Sequence, residues 1–141
     1  MGSTERIRNV AKRVAKWARA GHQMVVVPSA MSGETNRLLA LAKDLAPTRP
    51  DTAYNRELDM LAATGEQASS ALLAIALQAE GLEAVSYTGW QVPIKTNSAY
   101  TKARIESIDD QKVRADLAAG RVVIVTGFQG VDDAGNITTL G

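Results

Sequence analysis

The sequence predicts an αβα layered domain on a mainly parallel sheet, and three observations carry that prediction. Two runs, Met24-Val25-Val26-Val27 and Arg121-Val122-Val123-Ile124-Val125-Thr126, are continuously apolar and rich in β-branched residues, the pattern of strands covered on both faces. Stretches with helical periodicity alternate with these and with a third strand-like run, Ala84-Val85-Ser86-Tyr87-Thr88, which is the signature of crossover-connected strands. No internal repeat or low-complexity tract interrupts the pattern, and 141 residues fit one domain, able to bury roughly 70% of its unfolded surface.

The elements follow in order. Ile7, Val10, Ala11, Val14, Trp17 and Ala18 repeat at i, i+3, i+4 and predict a helix from Ser3 to Ala20, with Ser3 or Thr4 as cap, Gly21 as terminator and Trp17 in the core. The Met24 run is expected as a central strand. A polar loop, Ser29 to Glu34, leads into a helix through Leu38, Leu39, Leu41, Ala42 and Leu45, capped by Thr35 or Asn36. Pro47 and Pro50 mark the stretch from Ala46 to Ala53 as a connector. Two helical runs follow, Tyr54 to Ala63 and Glu66 to Glu80, with a break at Thr64-Gly65 between them.

Gly81 closes the second run, and the Ala84 strand resumes the sheet. The region from Trp90 to Lys102 has little periodicity; Trp90 reads as a buried anchor, and an extended run is expected from Ala103 to Ile108. Asp109 or Asp110 caps a helix through Val113 and Leu117 that Gly120 ends. After the Arg121 strand, Asp132-Asp133-Ala134-Gly135-Asn136 has the chemistry of a hairpin turn into Ile137-Thr138-Thr139, which explains the paired aspartates more simply than a metal site does.

Composition narrows the function classes. A formal charge of +1 gives no general attraction to nucleic acid or acidic membranes, and the basic face of the first helix lacks the interleaved aromatics of a nucleic-acid surface. The absence of cysteine removes disulfides, thiol nucleophiles and Cys-ligated zinc. His22, the one histidine, reads as a turn residue. The apolar run from Ala71 to Ala79 is short for a bilayer, and Glu5, Arg6, Arg8, Lys12 and Arg13 break up any leader-like segment, so a cytoplasmic location is expected. Small molecules are the default partners.

In parallel α/β sheets ligands gather beyond the carboxyl ends of the strands. Two loops qualify: Ser29 to Thr35, with small and hydroxyl residues, and Gly127-Phe128-Gln129-Gly130, with two glycines. Glu66, beside Thr64-Gly65, adds an acid. It can serve as a charge at a helix start, worth ~0.3–1 kcal/mol, or as the partner of a cationic ligand group.

Taken together, Ser29-Ala30-Met31 with Thr35-Asn36, Glu57-Leu58-Asp59-Met60-Leu61 with Thr64-Gly65-Glu66, and Gly127-Phe128-Gln129-Gly130 with Ile137-Thr138-Thr139-Leu140-Gly141 resemble the aspartate kinases of the amino-acid kinase family in order and spacing. Thr88-Gly89-Trp90-Gln91 and Ala103-Arg104-Ile105 add to a resemblance that covers essentially the whole chain. It implies an incomplete amino-acid kinase fold and phosphoryl transfer from ATP with Mg2+ to the side-chain carboxylate of L-aspartate. That carboxylate is already a nucleophile, so catalysis would be positioning and charge neutralisation. By the same resemblance Ser29 and Thr35 would hydrogen-bond aspartate, Ala30 would offer main chain, Glu66 would meet the ammonium, and Phe128 would line the same pocket.

Departures from the family shape a further expectation. The Lys-Phe-Gly-Gly strand and the Arg-Gly-Gly-Ser-Asp segment of the family do not occur in residues 1–141. The stretch is therefore expected to be the N-terminal, substrate-side part of a catalytic domain, without the first strand or the nucleotide-binding half and inactive alone. An unsatisfied sheet edge then favours a homo-oligomer or strand-exchanged dimer, and a non-catalytic self-associating piece is the alternative. A generic nucleotide-binding domain fits less well, for want of a Gly-x-Gly-x-x-Gly or Walker-type motif.

Overall fold

The computed structural model describes residues 3–47 and 55–140. From residue 48 onward, the connector expected between Ala46 and Ala53 lies outside the described residues. In chain order the elements are α1 (Thr4–Arg19), β1 (Val25–Val26), α2 (Glu34–Leu45), α3 (Asn55–Ala79), β2 (Ala84–Tyr87), β3 (Ile94–Thr96), β4 (Ile105–Ile108), α4 (Gln111–Ala118), β5 (Val122–Val125), β6 (Gln129–Val131) and β7 (Ile137–Thr139).

One parallel sheet has the order β1-β5-β2, with Val25 opposite Val123 and Ala84 opposite Val122. A second sheet has the order β4-β3-β6-β7, in which β3–β6 is parallel and the outer pairs are antiparallel. Every residue of β5 is buried, as its sequence requires of a central strand. β1 has an equally apolar sequence but occupies an edge, and Val25 and Val27 are exposed. It is not the central strand expected, because among the described residues β5 alone hydrogen-bonds it.

α3 is the beam on which the rest is assembled. Ile7, Ala11 and Val14 of α1 pack on its Leu73, Ala74 and Leu77 together with Val122 and Ile124 of β5. By length and composition α3 is apolar enough to cross a membrane, but half of its most apolar window is buried inside the fold, as befits a core helix. It runs unbroken through Thr64-Gly65, where two helices were expected. Thr64 Oγ1 donates to the Leu61 carbonyl at 2.7 Å, and packing offsets the roughly 1 kcal/mol helix penalty of Gly65.

Other local differences have simple causes. Ser3 caps α1 as expected, accepting from Arg6 N–H at 3.2 Å, but Trp17 sits on the flank of the buried stripe, 46% exposed, with its ring against His22. Gly33, in a left-handed conformation, caps α2 in place of Thr35 or Asn36. Trp90 is exposed; Val92, inside the turn closed by Ile94 N–H on the Gly89 carbonyl, is the buried anchor of that region. β3 was not expected, since three residues are too few to display a period.

Candidate functional site

Ser29, Ala30, Thr35 and Glu66 line one pocket of about 240 Å3, with Met31, Ser32, Gly33 and Asn36 completing the wall. The loop leaves β1 through Pro28, turns by a bond from Glu34 N–H to the Met31 carbonyl at 3.0 Å, and enters α2 at Gly33. Among the described residues no side chain caps that helix end, so the positive end of the α2 dipole belongs to the pocket wall.

Two glycines let distant segments meet here. A Cβ at Gly65 would lie 3.2 Å from Ala30 Cβ and 3.8 Å from Thr35 Oγ1, so the bare backbone is what allows the loop to lie on α3 beside Glu66. A Cβ at Gly127 would come within 2.9 Å of the Pro28 carbonyl oxygen, so the β5–β6 loop also abuts the residue before Ser29.

Glu66 is near the middle of α3, not at a helix start, and this removes the reading of it as a dipole-neutralising charge. It is 4% exposed, and its Oε2 has no hydrogen-bond partner among the described residues. Burial raises its pKa above the ordinary carboxylate value, although the N–H groups of Glu66 itself and of Ala30 act in the opposite direction.

Phe128 does not join these four. It takes a left-handed backbone, with φ 69°, and its carbonyl is pinned by Leu140 N–H at 2.9 Å. Its side chain lines a separate apolar pocket of about 360 Å3 with Val25, Val27, Ile105 and Ile108, beside the open edge of β1.

Asp59 is a key residue that sequence reasoning missed. It is 1% exposed and accepts from Thr101 N–H at 3.0 Å, Thr139 N–H at 2.9 Å and Thr139 Oγ1 at 2.7 Å, which ties α3 to β7. Gln129 Nε2 donates to the Ala63 carbonyl at 2.9 Å, a second tie to the same hairpin. The available signal was an acid on the apolar stripe of α3, two helical turns before Glu66.

Asp132, as the turn reading expects, is structural. Burial would raise it, but bonds from the Asn136 N–H, the Ser98 hydroxyl, the Asn136 amide and the Tyr100 hydroxyl outweigh that and hold it at about 2. Among the described residues no group of three His, Cys, Asp or Glu side chains is placed to hold a metal ion, and no Lys or Arg lines the Glu66 pocket to meet a triphosphate. Neither Mg2+ nor ATP is therefore assigned to described residues.

A model of the amino acid kinase family matches residues 1–141. The chain belongs to the amino acid kinase family. Aspartate kinase from Pseudomonas fluorescens (strain SBW25) is 61% identical over the whole chain, which covers 34% of that protein. The crystal structure of aspartate kinase from Synechocystis superposes with a TM-score of 0.76 at 40% identity, over 99% of this chain and 22% of the other. Escherichia coli aspartokinase III, solved in complex with aspartate and ADP, shares the fold at a TM-score of 0.74 and 21% identity, over 94% of this chain and 40% of its own. This member of the family thus spans about a third of the length of the curated relatives it matches.

Proposed function

We propose that the chain is the substrate-side part of an aspartate kinase, in which Ser29, Ala30, Thr35 and Glu66 hold L-aspartate for phosphorylation of its side-chain carboxylate. The observation that carries this reading is Glu66: a carboxylate 4% exposed in the wall of a pocket that no described Lys or Arg lines is a ready site for an ammonium group. An ion pair there would use charge that burial otherwise makes costly. The hydroxyls of Ser29 and Thr35 and the positive end of α2 supply the opposite preference, for a carboxylate. A pocket with one cation-seeking and one anion-seeking wall matches an α-amino acid zwitterion. The identity to proteins named aspartate kinase supports aspartate as that amino acid and ATP as phosphoryl donor.

ATP with its Mg2+ supplies the phosphoryl group when bound. The residues described here orient the acceptor. Phe128 would act from the neighbouring pocket, by packing the β5–β6 loop against Pro28 and not by touching aspartate. In this reading residues 1–141 carry no kinase activity without a nucleotide half, and the protein works in the cytoplasm. In the intact enzyme, Glu66→Gln should raise KM for L-aspartate at least roughly thirtyfold, the cost of leaving a buried charge unpaired. An unchanged KM would reject the assignment.

The exposed apolar edge at Val25 and Val27 favours a second reading, self-association of the chain through β1. Light scattering across a concentration series should then show a dimer growing in, and a monomer throughout would remove it.

A further inference from the structure

Glu66 Oε2 shares its condition with two neighbours. Ser69 and Ser70 are 0% and 1% exposed, and their hydroxyls likewise have no hydrogen-bond partner among the described residues. They follow Glu66 at i+3 and i+4 on the unbroken α3, so all three groups lie within one turn on the buried face. A helical serine commonly returns its hydroxyl to the carbonyl one turn back, and neither does so here. Buried polar groups without partners are rare, and three in one turn call for a shared one. Water has the size and the donors and acceptors for this: a buried water typically makes about three hydrogen bonds to groups of this kind.

We propose that Ser69 and Ser70 are positioning residues for Glu66, holding with its Oε2 a buried water beneath the pocket and so keeping the carboxylate charged and turned toward the Ser29 loop. The hydroxyls donate to or accept from the water, the water donates to Oε2, and the second carboxylate oxygen is left for the ligand. The nearest charged pair on α2, Glu34 and Arg37, is bonded to itself at 2.6 and 3.0 Å and does not supply this stabilisation. The proposal deepens the reading of Glu66 as the ammonium partner, but its test does not require that ligand.

The test follows the Glu66 side-chain carboxyl 13C signal against pH in the full-length protein carrying this segment. It compares the natural sequence with Ser69→Ala, Ser70→Ala, the double variant and the hydroxyl-retaining Ser69→Thr. Alanine is smaller and a better helix former, so folding should survive. The expected result is proton binding at Glu66 about tenfold tighter in the double variant, with smaller steps in the single ones and recovery in Ser69→Thr. An unmoved Glu66 midpoint accompanied by a higher melting temperature would mean hydroxyls that are merely buried, and would overturn the proposal. Titration with L-aspartate separates the two readings. Absent binding with a moved midpoint defeats the functional reading alone, and normal binding with an unmoved midpoint defeats the water site alone.

Discussion

Asp132 and Glu66 are buried almost equally, 3% and 4% exposed, yet the fold treats them in opposite ways. Asp132 collects donors from the β3–β4 connection and from its own hairpin turn until its pKa falls to about 2. Glu66 keeps one oxygen without a donor among the described residues, and its pKa is raised. Burial is therefore a poor guide to role for a carboxylate. The supply of donors separates an acid that holds the fold together from one that the fold holds for something else.

Asp59 belongs with Asp132 and should give the largest effect. Asp59→Ala strands the N–H and hydroxyl of buried Thr139 in the interior and takes the acceptor from Thr101 N–H, so urea denaturation should show a loss of about 4 kcal/mol. A loss below about 1 kcal/mol would put Asp59 outside the structural class.

Asp132→Asn should cost about 2 kcal/mol at neutral pH, the equivalent of its depressed pKa, and should remove part of the acid sensitivity. The sign follows from the depression. Folding favours the ionised form, so the contribution is complete above the ordinary value of 3.8 and is lost as pH falls through about 2. Stability measured from pH 5 to pH 2 should decline more steeply in the natural sequence than in the variant.

Glu66→Gln should give the smallest effect, and one of opposite sign. A raised carboxyl favours folding in its protonated form, so its contribution is present at acid pH and lost as pH rises through the folded value. The neutral amide should therefore raise stability at neutral pH in the ligand-free protein, with little change at pH 4. Thermal melts at the two pH values would reveal it; a destabilised variant at pH 7 would move Glu66 into the same class as Asp132.

The sequence makes local structure legible where one strong pattern acts alone. The β-branched run of β5, the stripe of α1 with its Ser3 cap, and the Asp132 to Asn136 turn are each decided within a few residues. It fails where neighbours decide. Thr64-Gly65 looks like a helix break because the glycine's reason, Ala30 lying 3.2 Å from an added Cβ, is far away in the chain. β1 and β5 have near-identical composition, yet the one lies at an edge and the other at the centre, a matter of topology that strand composition does not carry. At the site, small and hydroxyl residues flanking an acid point to Ser29, Ala30, Thr35 and Glu66. Neither the direction taken by Phe128 nor the convergence of backbone donors on Asp59 leaves a mark in the linear pattern.

The central claim is that the Glu66 carboxylate takes up the ammonium of an amino acid. Calorimetric titration of the full-length protein with L-aspartate and with N-acetyl-L-aspartate, which lacks the positive charge, tests it most directly. The account predicts that L-aspartate binds at least about thirtyfold more tightly than the acetylated compound, and that Glu66→Gln abolishes this preference. Equal affinity for the two compounds, or a preference that persists in Glu66→Gln, would contradict it.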